Sequence, residues 1–164
     1  HSAERYVENA IKALGINFGS VNMDMLITSE GKIHIIDIGA RMGGNMIGPC
    51  VIPYGTGVDY MANMIRNAVG DEKNFGTSAH GCVATRLLAF KDGVVARMPD
   101  FDALEKDYGV EIYHHLELGQ KVNEYHTNLD GCGYIVAKAD DVETAIQKAE
   151  TVLNIIKETI FCTD

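Results

Sequence analysis

Two aspartates stand in runs that otherwise suit the inside of a sheet. Asp24 lies in Asn22-Met23-Asp24-Met25-Leu26-Ile27, and Asp37 lies in Ile33-His34-Ile35-Ile36-Asp37-Ile38. Aspartate is a poor strand former, and a buried, unpaired carboxylate is costly to desolvate. With Glu30-Gly31 as a two-residue hairpin loop, 29 pairs with 32, 28 with 33 and 24 with 37. The carboxylates then face each other on one side of the hairpin, with Cβ atoms about 4.5–5.5 Å apart. Such a pair calls for a shared proton, a lysine or a divalent metal. Magnesium, bound through one or two carboxylates plus substrate phosphates, suits it. A plainer reading also fits: both acids exposed on an edge hairpin, with Arg41 in an ordinary surface ion pair.

The chain after Asp37 adds an anion-binding character. Strand alternation puts Asp37, Gly39 and Arg41 on one side. Arginine recognises carboxylate or phosphate through two parallel hydrogen bonds. Gly43-Gly44 lets backbone amides approach an anion closely. A cation site beside an anion site is the arrangement that phosphoryl transfer requires.

These residues need elements to hold them. The stripe Ala3, Tyr6, Val7, Ala10, Ile11, Leu14 predicts a helix over 3–14, closed by Gly15. Two β-rich runs follow, Gly19–Thr28 and Lys32–Ile38, with Ser29-Glu30-Gly31 as the turn. A glycine-dense loop leads to a second helix opened by Thr56-Gly57-Val58-Asp59 and running to about Ala68. Residues 71–79 read as a polar connection. Strands are expected at His80–Phe90, Val94–Met98, Val110–Leu118 and Cys132–Ala139, with a short helix at Asp100–Asp107. A final helix carries the capping box Asp140-Asp141-Val142-Glu143, with Asp140 as cap and Glu143 at the third position. The expected class is α+β. Residues 1–75 form an antiparallel sheet with packed helices, and 76–164 form a small α+β subdomain.

The chain has 164 residues, 46% of them hydrophobic and 23% charged, which is the balance of a soluble globular protein. The net charge of −9 and the lack of a Lys/Arg cluster argue against nucleic acid as a partner. No apolar run is long enough to span a membrane. Cys50, Cys82, Cys132 and Cys162 form no Cys-x-x-Cys pair, so they read as free thiols of a cytoplasmic protein. His114 and His115 are adjacent on a strand and point to opposite faces, so they do not share an ion. His34, His80 and His126 read as structural or surface residues. Tyr54, in Ile52-Pro53-Tyr54-Gly55, suits packing at least as well as substrate contact.

The block Leu14-Gly15-Ile16, Gly19-Ser20-Val21, Asp24, Gly31, Ile36-Asp37-Ile38-Gly39-Ala40-Arg41 and Thr56-Gly57-Val58-Asp59 resembles the C-terminal half of ATP-grasp enzymes. It looks closest to the group of L-amino-acid ligases and of biotin-carboxylase-like and carbamoyl-phosphate-synthase-like proteins. Arg41-Met42-Gly43-Gly44 is most like the amino-acid ligase branch. From about Gly76 onward the chain is similar to the small C-terminal domain of those ligases, through Lys91-Asp92-Gly93-Val94 and Gly131-Cys132-Gly133-Tyr134-Ile135-Val136-Ala137.

The resemblance implies an ATP-dependent carboxylate–amine ligase working through an acylphosphate. Asp24 and Asp37 would bind Mg²⁺ (or Mn²⁺), and Arg41 would contact phosphate or carboxylate as the catalytic arginine. Gly43, Gly44 and Asn45 would complete the substrate side. The family usually has glutamates where this chain has Asp24 and Asp37, and an asparagine where it has Gly39. Asn45 is the candidate substitute ligand, and one firmly held metal is expected, not two. The phosphate-binding lysine and adenine-binding strands would lie in an upstream half of the same polypeptide, so the isolated 164 residues are expected to be inactive. Carboxylate and amine substrates, and a possible homodimer, complete the implied partners. A non-catalytic module for regulation or dimerisation is the alternative from another class.

Overall fold

A computed structural model describes residues 2–78 and 81–161. His1, His80 and Cys162 lie outside the described residues. The first helix, α1 (Ser2–Ala13), ends at Gly15, whose φ of 66° is left-handed. Strands β1 (Asn22–Ile27) and β2 (Ile33–Gly39) form an antiparallel two-stranded hairpin. Among the side chains of α1, β1 and β2, Ile33 is buried, whereas Leu26 is 55%, Ile27 58% and Ile36 67% exposed.

The glycine-dense segment is more regular than its composition suggests. A π-helical turn at Ile47–Val51 runs directly into α2 (Ile52–Thr56), which Gly57 caps in the left-handed region. Sequence reading placed a loop here, because glycine and proline density masks a short helix stabilised mainly by what it packs on. Helix α3 (Tyr60–Val69) starts at Asp59, whose carboxylate accepts the Ala62 N–H at 3.0 Å, and ends at Gly70. Asn63 is fully buried on α3, and its amide donates to the Asn74 carbonyl and accepts the Asn74 N–H. That exchange ties the polar connection back onto the helix.

The second part is built on the antiparallel sheet β3 (Cys82–Leu87), β7 (Gly133–Ala139) and β5 (Val110–His114), with β7 in the centre. The long helix α5 (Val142–Ile160) covers one face with Ala145, Ala149, Val152, Ile156 and Ile160, all fully buried. Truncating either isoleucine to alanine costs about 2–5 kcal/mol, the usual range for such a core site. Helix α4 (Phe101–Tyr108), capped by Asp100, sits beside this core. A small ribbon, β4 (Gly93–Val94) with β6 (Lys121–Val122), and a 3₁₀ turn at Asn128–Asp130 complete the fold.

The expected α+β class holds, with local corrections. Of the strand expected at Val94–Met98 only Val94 lies in β4, which begins at Gly93, and the strand expected at Val110–Leu118 ends at His114. The cap of α5 is Asp141, one residue later than expected: its carboxylate accepts the Thr144 N–H at 2.8 Å and the Thr144 hydroxyl at 2.7 Å. Both residues before α5 are aspartates, and the helical phase alone decides which one reaches the free amides.

On β7, Ile135 and Val136 are neighbours pointing to opposite faces, yet both are fully buried. One face is covered by α5. The other is approached by the segment 47–56, which carries the buried Cys50. The glycine-dense segment of the first part is thus packed on the sheet of the second.

Candidate functional site

Asp24 pairs with Asp37 across the hairpin, flanked by Met23–Ile38 and Asn22–Gly39. The pairing arises differently from the two-residue loop inferred from sequence. Thr28 N–H donates to the Lys32 carbonyl at 2.9 Å, leaving Ser29, Glu30 and Gly31 as a three-residue loop, with Gly31 at φ 78°. This is the usual use of a left-handed glycine in such a hairpin. Ile27 then pairs with Ile33, Leu26 with His34 and Met25 with Ile35. A bulge at Ile36, which has no partner on β1, moves the register by one and brings Asp24 opposite Asp37. Both aspartates are exposed, so the burial argument drops out.

The strand ends at Gly39. Arg41 N–H donates to the Gly39 carbonyl at 2.8 Å, an i to i+2 turn, so strand alternation does not carry through to Arg41. The arginine side chain instead folds back over the glycine. Its Cγ lies 3.4 Å and its Nε 3.6 Å from where a Gly39 Cβ would stand. Its Nη1 donates to the Met42 carbonyl at 2.9 Å. Gly39, which has no side chain to offer a metal, leaves the space that the guanidinium arm crosses.

Gly43 and Gly44 differ. A Cβ on Gly43 would lie 2.9 Å from Asn22 Oδ1 and 3.1 Å from Ile47 Cδ1, whereas one on Gly44 would meet nothing within 4 Å. Gly43 packs the loop against β1, and Gly44 is the open backbone. Asn45 and Met46 follow with φ of 53° and 61°. The left-handed region is tolerable for asparagine but strained for methionine, at a cost of about 1–3 kcal/mol. The Met46 carbonyl accepts both the Cys50 and Val51 N–H groups at 3.0 Å, which holds the strained residue in place. Asn45 Oδ1 accepts the Tyr134 hydroxyl at 2.9 Å. Its side chain is therefore engaged with the C-terminal sheet, which argues against its service as the substitute metal ligand.

Among the described residues, no three His, Cys, Asp or Glu side chains come together as a metal cluster. Asp24 and Asp37 offer hard carboxylate oxygens on adjacent strands, the donor type magnesium takes. They fit one side of a cation whose other ligands come from elsewhere, such as phosphate oxygens and water.

Sequence reading missed a second polar cluster. Glu111 on β5 accepts the Tyr54 hydroxyl at 2.7 and 2.8 Å through its two oxygens, the Tyr113 hydroxyl at 2.7 Å and Lys138 Nζ at 2.9 Å. Lys138 Nζ also lies 3.0 Å from the centre of the Tyr54 ring, and Cys50 Sγ donates to Tyr113 Oη at 3.6 Å. Burial works against the Glu111 charge, but the bonds from Lys138, Tyr113 and Tyr54 outweigh it and hold the carboxyl below its ordinary value. The bond to Glu111 raises both tyrosines, helped by burial at Tyr54 and by Cys50 and burial at Tyr113. Burial opposes the Lys138 charge, and the bond to Glu111 overrides it and raises the lysine. The available signal was faint: Glu111 and Lys138 are charged residues inside strand-like runs.

Beside this cluster a cleft of about 670 Å³ is lined in part by Tyr54, Cys82, Lys138, Thr144 and Lys148. Its polar groups already serve the fold: Lys138 holds Glu111, Lys148 Nζ donates to the Lys138 carbonyl at 3.2 Å, and Asp141 caps α5. The Asp24–Asp37 pair is elsewhere. His114 stacks on Phe101 with ring centres 3.9 Å apart and accepts the Leu116 N–H at 3.2 Å, a structural role. Cys50, Cys82 and Cys132 are free thiols, and burial raises Cys132.

Residues 86–159 match the family model described as L-amino acid ligase C-terminal domain 2. No curated protein matches the chain in sequence at a significant level. Solved structures match its fold. The L-amino acid ligase from Bacillus licheniformis superposes with a TM-score of 0.78 at 18% identity, over 98% of this chain and 40% of that one. Phosphoribosylglycinamide synthetase from Anaerococcus prevotii gives 0.71 at 22%, over 95% and 40%. N5-carboxyaminoimidazole ribonucleotide synthetase from Thermotoga maritima gives 0.69 at 19%, over 94% and 41%. The chain thus spans about two fifths of the length of these structures. The resemblance to the C-terminal portion of ATP-grasp ligases is borne out, by fold across the chain and by the family model over its second part.

Proposed function

We propose that this chain is the C-terminal portion of an ATP-dependent carboxylate–amine ligase, and that its part in the reaction is to bind the metal–phosphate end of ATP. The observation that carries the reading is the pairing of Asp24 with Asp37, two residues along β2 from the Gly39 over which Arg41 folds, on a fold shared with an L-amino acid ligase. Asp24 and Asp37 hold Mg²⁺, or Mn²⁺ in its place. When bound, the ion neutralises phosphate charge. Arg41, anchored beside Gly39, binds a phosphoryl or carboxylate oxygen. The Gly43-Gly44 backbone keeps the loop close to the anion.

In the reaction, a substrate carboxylate oxygen attacks the γ-phosphorus of ATP. The new O–P bond forms as the bond to ADP breaks, giving an acylphosphate. An amine then attacks the acyl carbon, inorganic phosphate leaves, and the amine nitrogen releases a proton. Positioning and charge neutralisation supply the catalysis, and no side-chain nucleophile is required.

The exposed Leu26, Ile27 and Ile36 of the hairpin, with Tyr6 and Leu14 near α1, fit cover by an upstream half of the same polypeptide. That half supplies the phosphate-binding lysine and the adenine-binding strands. The proposed enzyme acts on small molecules in the cytoplasm and assembles as a homodimer; among the described residues no helix is long and apolar enough to cross a membrane. Biotin-carboxylase-like and carbamoyl-phosphate-synthase-like chemistry are the nearest enzymatic alternatives.

A second reading rests on Gly39 and the lack of a third acidic ligand among the described residues: a non-catalytic module for regulation or dimerisation. Magnesium-dependent ATP binding by the full polypeptide separates the two. Binding lost on Asp37→Ala supports the ligase, and no binding by the unaltered polypeptide supports the module.

A further inference from the structure

The loop carrying Arg41, Gly43 and Gly44 is held at one end by β2. At its other end, three contacts fasten residues 45–56 to one face of the β5–β7 sheet. Asn45 accepts from Tyr134, Cys50 donates to Tyr113, and Tyr54 donates to Glu111, which also takes Lys138 and Tyr113. Tyr113 pairs with Tyr134, and Glu111 with the fully buried Val136, so these anchors share one sheet face. Glu111 is the hub, since three side chains from three elements converge on one carboxylate. The strained backbone at Met46 lies between the Asn45 and Cys50 anchors, two residues from the open Gly44. Such a backbone persists only where its surroundings over-determine it.

We infer that Glu111 is a positioning residue: through Tyr54 it latches the segment 47–56 onto the C-terminal sheet and thereby sets the glycine loop beside the Asp24–Asp37 pair. The inference rests on the reading of that loop as part of the phosphate site, but the latch itself is measurable without it. The C-terminal part then does more than complete the fold. It determines how far Arg41 and Gly44 stand from the bound cation.

The test uses the full polypeptide containing this chain and two variants, Glu111→Gln and Tyr54→Phe; the second removes only a hydroxyl and guards against misfolding of the first. Amide hydrogen exchange is read first. Residues 43–56 should exchange at least tenfold faster in both variants, with α5 and β7 unchanged. Unchanged exchange over 43–56, or equal acceleration everywhere, overturns the latch. Mn²⁺ alone is the second probe. In the parent chain it should broaden the amide resonances of Gly43 and Gly44. In Glu111→Gln the broadening should weaken while the Mn²⁺ affinity, set by Asp24 and Asp37, stays the same. Equal broadening in parent and variant overturns the positioning role. Failure of the parent chain to bind Mn²⁺ overturns the metal assignment of the proposed function and with it the positioning role, while the exchange result still decides the latch.

Discussion

Ile36 has no partner on β1, and its neighbour Asp37 stands opposite Asp24. The bulge offsets the three-residue loop, so the acids meet at one rung of the ladder. Like charges at such a rung repel when no cation lies between them. Asp24→Asn and Asp37→Asn should therefore leave the urea midpoint unchanged or slightly raised in chelator-treated protein. Each should also weaken Mn²⁺ binding at least about tenfold, a difference of about 1.4 kcal/mol. Titration by electron paramagnetic resonance checks the second effect. A drop in stability without metal would contradict the repulsion.

The backbone at position 39 does not require a glycine. Its φ is not in the left-handed region, and the nearest obstacle to a side chain is the movable arm of Arg41 at 3.4 Å. Gly39→Asn should therefore fold normally and add an oxygen donor near Asp37, tightening Mn²⁺ binding several-fold. Unaltered or weaker binding would show that Arg41, not a third ligand, is what the position serves.

The two loop glycines should respond differently. Gly43→Ala forces Asn22 and Ile47 aside and should cost about 1 kcal/mol, at the low end for overpacking because the Asn22 amide is a movable end. Gly44→Ala meets nothing and should be neutral or stabilising by up to about 1 kcal/mol through the unfolded chain. Chemical denaturation of both variants checks the pair, and equal costs would place the loop incorrectly.

Acid should loosen the latch before it unfolds the core. Glu111 in the folded chain titrates below its ordinary 4.5. Its contribution is complete above that value and is lost as pH falls through the lower, folded one. Tyr54 and Tyr113, raised above 10.0, and Lys138, raised above 10.5, contribute fully below those values and fade only as pH rises through the higher, folded ones. Exchange protection over 47–56 should thus be flat through neutral pH and fall below 4.5. Asp130 and Asp141 are also depressed, by bonds from Thr127 and from Thr144, and the turn at 128–130 and the start of α5 lose that support in acid too. Comparison with Glu111→Gln isolates the Glu111 limb, which that variant should lack.

Local patterns made much of this legible in the sequence. Apolar alternation and Ser29-Glu30-Gly31 marked the hairpin, the stripe from Val142 to Ile156 marked α5, and Asp–Arg–Gly-Gly spacing marked the candidate site. The Asp24–Asp37 pairing came out correctly from a register that was one residue off at the turn, because the Ile36 bulge compensated. What stayed hidden was long-range or context-made. Tyr54, Glu111 and Lys138 are far apart in sequence, and only the sheet brings them together. The π-turn at Ile47–Val51 follows two left-handed residues and packs on a sheet face, neither of which composition reveals.

The most direct test of the central claim is ATP binding by the full polypeptide containing this chain, measured with and without Mg²⁺, for the parent and for Asp37→Ala. The account predicts binding that depends on Mg²⁺ and falls at least about tenfold in the variant. Binding of equal strength in both proteins, or none in the parent, would contradict it.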